Sequence, residues 1–380
     1  MTTETQERPL APASGGRKIK GNPWHPTFRG VALATWIELL RRRPSKKGYV
    51  FYAIVLLGIL GLGILSAVFA GPGLNSAPME LVLLLILGAG LLIGPSLSAT
   101  SINGDSGEGV LAPLQMTRLS AGDLAFGKLL ASWAVCFAAL LTLVPFIVYA
   151  YTKSGWHLGE LLTVIGVILF IVLAFTAVGL AWSSIAARAV ASVSLAHLTT
   201  GFMVLGTLVL FAFTLPLVSE TVTVTYRDFD YDAMTEEQQM DPNFDYSTLP
   251  CTEYTQEETV SHTEKTAWMV LINPMVVVVE SSPVVNPETY EKDGRAAPGI
   301  FAQSHQLVSA ARIAPDVNPV VDWCKQDDMW AQNQQEQALL PPNPWPGLAT
   351  AAVLGIGAMW IVVRRLRVPY KKLRTGTRVA

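Results

Sequence analysis

Charged side chains are scarce in this sequence: Asp, Glu, Lys and Arg together make up 15% of its 380 residues. Soluble domains carry about 25% of these residue types. Hydrophobic residues make up 51%, and the mean hydropathy is +0.39. The composition therefore excludes a soluble domain and predicts an α-helical polytopic membrane protein. With a net charge of −2, no nucleic-acid partner is expected.

Motifs that carry catalytic chemistry are also missing. The sequence has no cluster of Cys and His with metal-ligand spacing and no G-x-S-x-G nucleophile elbow. Gly122, Gly127 and Lys128 have the spacing that opens a phosphate-binding P-loop, but Leu129 stands where the motif needs Ser or Thr to hold magnesium. The sequence therefore predicts no metal, no cofactor and no enzymatic activity in this chain.

The hydrophobic residues are concentrated in long runs. A membrane helix needs about 20 apolar residues, and six runs qualify, at about 49–70, 79–100, 126–151, 158–182, 190–218 and 345–363. Basic clusters at 41–47 and 364–380 flank them, and the positive-inside rule assigns such clusters to the cytoplasm. We therefore expect six transmembrane helices, both termini cytoplasmic, a disordered tail over 1–25 without a cleavable signal peptide, and a basic tail over 364–380.

An acidic segment separates the fifth and sixth runs. Between positions 219 and 341 there are 21 acidic and 6 basic residues, a net charge of −15. We interpret 219–344 as a mixed α/β extracytoplasmic domain, in which the β-branched run Thr221–Tyr226 predicts a strand. Cys251 and Cys324 lie there and are expected to form a disulfide, worth about 4 kcal/mol in the chain-entropy model. Cys136, in the third run, is expected to act as a small apolar residue.

One stretch of the acidic segment is apolar. Residues 268–280, WMVLINPMVVVVE, are too few to span a bilayer and are interrupted by Asn273-Pro274. The stretch is either a re-entrant membrane element or a core strand of the outer domain.

Residues 26–48, before the first run, have the pattern of an amphipathic helix. Its apolar residues, at i, i+3, i+4 and i+7, are Leu33, Trp36, Ile37 and Leu40. Glu38 and Arg42 occupy another face. The pattern predicts a helix at the membrane interface, with the basic cluster 41–47 as its anchor.

The longest internal polar segment between membrane runs on the side of the basic loops is 105–128, DSGEGVLAPLQMTRLSAGDLAFGK. It resembles the cytoplasmic loop after the second membrane helix of ABC-2-type transporter permeases. That loop reads roughly acid-x-x-E-G-T-L, then L, T-P-L-S, an acid and G-K. The matching residues are Asp105, Glu108, Gly109, Leu111, Leu114, Thr117, Leu119, Ser120, Asp123, Gly127 and Lys128. Val110 and Arg118 depart from the pattern, where the family has Thr and Pro.

The resemblance implies the membrane subunit of an ATP-driven exporter in a prokaryotic cell membrane, paired with a second copy or a similar permease. ATP and Mg would bind a separate cytoplasmic ATPase that contacts the coupling loop 101–128 and the connecting helix 26–48. The residues expected at that contact are Asp105, Glu108, Gly109, Leu111, Leu114, Arg118, Trp36, Glu38 and Arg41. We expect Asp105 and Glu108 to be exposed acids that pair with basic ATPase residues; their alternative role is to cap the loop helix. The resemblance also favours the re-entrant interpretation of 268–280.

In the family, the second and fifth helices flank the path of the substrate. The residues that this implies for the path are Gly90, Gly94, Ser96, Ser98, Ser194, His197 and Thr200. Close helix packing with satisfied hydroxyls is the alternative for the whole group. A neutral His197 bonded to a neighbouring helix is the alternative to substrate contact or proton transfer.

These observations lead to two functions of different classes. The first is the permease subunit of an ABC-2-type exporter. The second is a membrane-anchored scaffold whose extracytoplasmic domain recruits a partner protein. A membrane enzyme acting on lipid would need a catalytic constellation that the sequence lacks. Co-purification of an ATPase chain would separate the first two.

Overall fold

A computed structural model describes residues 24–42, scattered positions between 53 and 68, residues 75–240, 244–245, 248–285, 292, 295–316, 319–325 and 341–367. Five helical stretches among them are long and apolar enough to cross a membrane: Ala77–Gly107, Ala121–Ser154, Leu158–Ile185, Ala189–Val218 and Trp345–Leu366. They correspond to the second to sixth predicted spans. The first predicted span, 49–70, lies largely outside the described residues, as do most of both predicted tails and the basic cluster 43–47.

The elements on the basic side of the chain are α1 (Phe28–Arg41), α3 (Ser101–Gly107) and α4 (Leu111–Gln115). The spans are built from α2 (Ala77–Ala99), α5 (Ala121–Leu140), α6 (Val144–Ser154), α7 (Leu158–Ile185), α8 (Ala189–Gly201), α9 (Thr207–Thr214) and α14 (Trp345–Leu366). The insertion between the last two of these contains β1 (Ser219–Phe229), α10 (Glu236–Gln239), β2 (Cys251–Ser261), α11 (Trp268–Leu271), α12 (Pro274–Glu280), α13 (Ile300–Ala310) and β3 (Val320–Asp322).

Helix α7 lies at the centre of the bundle, between α2 and α14. The contact with α2 is close because two glycines face it: a Cβ at Gly90 would clash with Val172, and one at Gly94 would clash with Thr176. Large apolar side chains from both helices fill the core around this seam, among them Leu83. The G-x-x-x-G spacing in the second span therefore positions a helix–helix contact.

The fifth span is interrupted, which the sequence did not predict. A π-helical turn, Phe202–Gly206, joins α8 to α9. Such a turn weakens the regular backbone ladder, and the Val204 carbonyl there accepts a hydrogen bond of 2.7 Å from the side-chain amide of Asn273. The same amide donates to the Thr207 hydroxyl at 2.9 Å, so the insertion is tied to the interrupted span.

Segment 268–280 is helical, so the interpretation as a core strand is wrong. It forms α11 and α12, and Asn273 caps α12 by accepting a hydrogen bond from the Met275 amide at 2.8 Å. Val277, Val278 and Val279 are buried in the same core as the membrane helices. The Asn-Pro pair thus ends one short helix and starts the next, because proline is favoured in a first turn and asparagine before it.

A three-stranded sheet forms the rest of the described insertion, in the order β2-β1-β3. Strands β1 and β2 are antiparallel, from Ser219 opposite Ser261 to Phe229 opposite Cys251, while β3 is parallel to β1. Cys251 and Cys324 lie at disulfide-bonding distance, with their Cα atoms 6.5 Å apart. The predicted strand is confirmed, the insertion contains both helices and a sheet, and the two cysteines that were predicted to pair are close enough to do so.

Candidate functional site

Helix α1 is docked on α5 through small residues and one carboxylate. Gly127 of α5 leaves room for Ala34 of α1, since a Cβ on the glycine would clash with it. Asp123 caps α5 in a reciprocal pair with Ser120, with both hydrogen bonds at 2.8 Å. The other oxygen of Asp123 accepts the Thr27 amide at 2.6 Å, and Thr27 is the N-cap of α1. One carboxylate therefore joins the N-termini of two helices.

Beyond this contact lies a buried ion cluster formed by α1, α3 and α5. The Lys128 ammonium of α5 donates to Glu38 of α1 at 3.0 Å and also to Asp105 of α3. Arg41 reaches the second oxygen of Asp105 at 2.8 Å, and Arg42 pairs with Glu38 at 3.1 Å. The side chains of Lys128, Glu38 and Asp105 are 3%, 9% and 7% exposed. An ion buried without a partner costs several kcal/mol, so each member fixes the others in place.

Asp105 is therefore not the exposed acid that we expected from the sequence. Its carboxylate is held by Lys128 and Arg41, and it serves neither as a free surface charge nor as a helix cap. The hydrogen bond from Arg41 to Asp105 raises the pKa of the guanidinium above its ordinary value, so Arg41 keeps its charge at any physiological pH.

The segment after α2, residues 100–120, forms hydrogen bonds to three further helices. The Ser183 hydroxyl of α7 accepts the Ile102 amide at 2.9 Å. Asn103 donates to Ser192 of α8 at 2.7 Å. Gln115 of α4 donates to the backbone carbonyl of Leu366, the last residue of α14, at 3.1 Å. Through these bonds and the ion cluster, the segment contacts α1, α5, α7, α8 and α14.

Part of the segment after α2, and a neighbouring part of α1, are exposed to solvent. Glu108, whose side chain is 71% exposed, lies 3.7 Å from Arg41. Gly109 has a φ of +72°, a left-handed conformation that favours glycine, and it turns the chain from α3 into α4. Met116 is 81% exposed and Trp36 of α1 is 61% exposed. We call the exposed residues Glu108, Gly109, Met116, Arg118 and Trp36 the coupling edge.

The predicted contact residues thus divide into two groups. Glu108, Gly109, Arg118, Trp36 and Arg41 are exposed, whereas Asp105, Leu111 and Glu38 are buried and Leu114 is half-buried. The buried members hold the coupling edge in position.

The sequence predicted no functional role for Lys128 or Asp123, and it predicted for Arg42 only a place in the basic anchor 41–47. Lys128 and Asp123 belong to segment 105–128, and their match to the ABC-2 loop pattern was the only indication of a role that the sequence gave for them. Gly122, Gly127 and Lys128 lie within α5, whereas a phosphate-binding loop would place these residues between a strand and a helix.

The predicted path residues do not form one group. Gly90, Gly94 and Ser98 of α2 lie in the contact with α7, where Ser98 faces Gly179. Ser96 is 2.8 Å from the Nε2 atom of His197, which links α2 to α8. Thr200 bonds the carbonyl of Ala196 in its own helix, and Ser194 is exposed. His197 thus has the hydrogen-bond partner on a neighbouring helix that the packing alternative requires.

A second buried polar cluster ties the insertion to the last span. Glu280, at the end of α12, lies 2.8 Å from the Nδ1 atom of His305 in α13. It also accepts the Asn343 amide, next to α14, at 2.7 Å. The Arg312 guanidinium lies 3.9 Å from the Glu280 carboxylate. The sequence offered little signal for this cluster, because its members come from three separate segments.

The described helices define a multi-pass α-helical membrane protein. The chain matches no protein-family model, and no curated protein matches it significantly.

Proposed function

We propose that the chain is the permease subunit of an ATP-driven ABC-2-type exporter, and that the coupling edge receives force from a separate cytoplasmic ATPase. The resemblance of segment 105–128 to the family's loop supports this proposal. The partner would bind ATP and Mg, and this chain would supply helices that move.

The observation that carries the proposal is the set of bonds made by the segment after α2. An input surface transmits force only if it is joined rigidly to the parts that must move. Asp105 joins the segment to α1 and α5, Ile102 and Asn103 join it to α7 and α8, and Gln115 joins it to α14. A push on the coupling edge would therefore reach five helices.

A second permease, identical or similar, is part of the proposal, since a six-span chain is half of the assembly in this family. By the positive-inside rule, the basic clusters at 41–47 and 364–380 support a cytoplasmic position for both termini and the coupling edge. The insertion would then lie outside a prokaryotic cell membrane.

The proposal is tested by replacing Glu108 with arginine in the full chain. Glu108 is largely exposed, so the protein should fold normally while the charge offered to a basic ATPase surface is reversed. We expect an ATP-hydrolysing chain to co-purify with the wild type and to be lost with Glu108→Arg. Glu257→Arg, the same charge reversal at an exposed position of β2, is the matched control and should retain the partner. Equal co-purification with Glu108→Arg and wild type would refute the role of Glu108, and no ATPase with either would refute the exporter assignment.

The scaffold function has one observation in its favour. Strand β2 lies at the edge of the sheet, and its first seven residues are exposed. Exposed edges of this kind bind extended segments of other proteins. If the chain is a scaffold, a membrane-impermeant cross-linker should join its insertion to one partner in stoichiometric amounts, in preparations without any ATPase.

A further inference from the structure

A long apolar groove runs along the surface between α7 and α14. The part nearer Met359 has a volume of about 430 Å³ and is lined by Leu129, Phe170, Ala174, Ala352, Ile356 and Met359, among others. Every described residue that lines this part is aliphatic, aromatic, Met or Gly. A volume of about 300–1,000 Å³ is typical of small-molecule sites, so the groove has room for an extended hydrocarbon chain.

The groove exists because small residues bring the two helices close. A Cβ added to Gly355 of α14 would lie 3.3 Å from Ala174 of α7. The larger side chains of Phe170 and Ile356 also line the groove. A second hollow that shares Phe170 and Ala352 continues the groove as far as Trp345, at the start of α14. Trp345 and Trp360 are about 22 Å apart along the helix axis at 1.5 Å per residue, so the groove follows most of a membrane span.

One end of the groove is basic. Arg364 lies 5.3 Å above the ring of Trp360, and Arg367 lies 4.9 Å above the ring of Trp24. Both indoles line the groove, so both guanidiniums stand at its mouth. The two arginines are exposed and neither forms an ion pair with any residue that the structure describes.

We propose that this groove binds an anionic phospholipid from the membrane leaflet at its basic end, with one acyl chain along α7 and α14 and the phosphate at Arg364 and Arg367. The apolar lining matches the chain. The two guanidiniums, which have no ion-pair partner among the described residues, match the phosphate, which arginine binds through several hydrogen bonds. Tryptophans at the mouth suit the boundary between hydrocarbon and headgroups. The inference is independent of the exporter assignment, since it needs only a multi-pass membrane protein.

The test is native mass spectrometry of the full chain in detergent with equimolar dioleoylphosphatidylglycerol and dioleoylphosphatidylcholine. We expect the wild type to retain the anionic lipid preferentially. A variant with both Arg364→Gln and Arg367→Gln should lose about fivefold of that preference for each arginine. Ala352→Phe, which fills the groove, should reduce retention of both lipids.

Matched controls separate this site from general lipid contact. Arg188→Gln removes an exposed arginine at the turn before α8, and Val353→Phe adds bulk at an exposed position of α14 outside the groove lining; both should bind lipid as the wild type does. The arginine variant changes only exposed side chains, so it tests the site even if Ala352→Phe does not fold. Equal retention of the two lipids by the wild type would overturn the proposal. So would an unchanged preference in the arginine variant, or occupancy of the groove by a second copy of the chain instead of lipid.

Discussion

Lys128 is the residue on which the buried cluster depends most. It is the only described base that contacts both Glu38 and Asp105 at hydrogen-bonding distance, and all three side chains are shielded from water. Buried ion pairs add little net stability over apolar packing, but the loss of one partner is costly because an uncompensated charge remains. The cluster is therefore best understood as a device that fixes the geometry of α1, α3 and α5.

Lys128→Met should destabilise the folded protein by about 3–5 kcal/mol, because it leaves two carboxylates with less compensation. The measurement is thermal or denaturant unfolding of the purified chain in mild detergent. Adding Glu38→Gln should recover part of the loss, since the double variant buries one fewer unpaired charge. Arg188→Met, at an exposed position, should have a negligible effect. Strictly additive losses would show that Lys128 and Glu38 act separately.

The sequence indicated Lys128 only through the G-K pair in the resembling segment. Its partner Glu38 is 90 positions away in the chain, and no local pattern connects residues across that distance. The amphipathic pattern of α1 did place Glu38 and Arg42 on a face apart from Leu33 and Trp36. It did not reveal which face is buried: Glu38 points inward, while Leu33 and Trp36 are exposed. Tertiary contacts decide that orientation.

Among the elements, the seam between α2 and α7 shows most clearly how spacing sets helix packing. Gly90 and Gly94 face α7, whereas a Cβ at Gly88 of the same helix would meet nothing. The sequence alone does not show which of these three glycines lies in the contact with α7; their positions in the packed bundle do.

Gly90→Ala should destabilise the chain by about 1–3 kcal/mol, because the new methyl group forces α2 and α7 apart. Gly88→Ala is the matched control and should be neutral or stabilise by up to about 1 kcal/mol, as alanine is the better helix former. Unfolding curves of the two variants in the same detergent would compare them directly. Equal effects at the two positions would contradict the assigned seam.

Most helices could be predicted because their apolar runs are long enough to span a bilayer. The irregular parts could not. In the π-helical turn of the fifth span, the Val204 carbonyl accepts a hydrogen bond from Asn273, which lies 69 positions away in the chain. Likewise α5 begins at Ala121, five residues before the predicted run at 126, because Ser120 and Asp123 cap it. Capping pairs start helices in polar sequence that hydropathy assigns to loops.

At the scale of the whole molecule, the two ends of the bundle are built differently. At the basic end, a charged cluster and short polar helices join the spans. At the opposite end, Asn273 and Glu280 bond a large acidic insertion to the fifth and sixth spans. In the insertion, Cys251 at the start of β2 and Cys324, two residues after β3, are close enough to form a disulfide, although β1 lies between these two strands in the sheet. This architecture couples both ends to the same helices.

Thiol counting checks the cysteine pairing. The denatured, unreduced chain should expose one alkylatable thiol, Cys136, and three after reduction. In the native protein Cys136 should react slowly, since it is fully buried and burial makes a thiol inert. Three reactive thiols in the unreduced, denatured protein would contradict the pairing. Cys251→Ser should free Cys324 and lower the stability of the insertion by about 4 kcal/mol in the chain-entropy model.

The proposed exporter function requires that a separate ATPase contacts the coupling edge. It is tested most directly with a photo-reactive amino acid at position 116, which is 81% exposed in the wild-type chain, in native membranes. We predict a cross-link to an ATP-binding chain whose yield changes with a non-hydrolysable ATP analogue, and no such product from position 254 in β2. A probe at 116 that never captures an ATP-binding chain, or that reacts only with reagents confined to the outer side of the membrane, would contradict this contact.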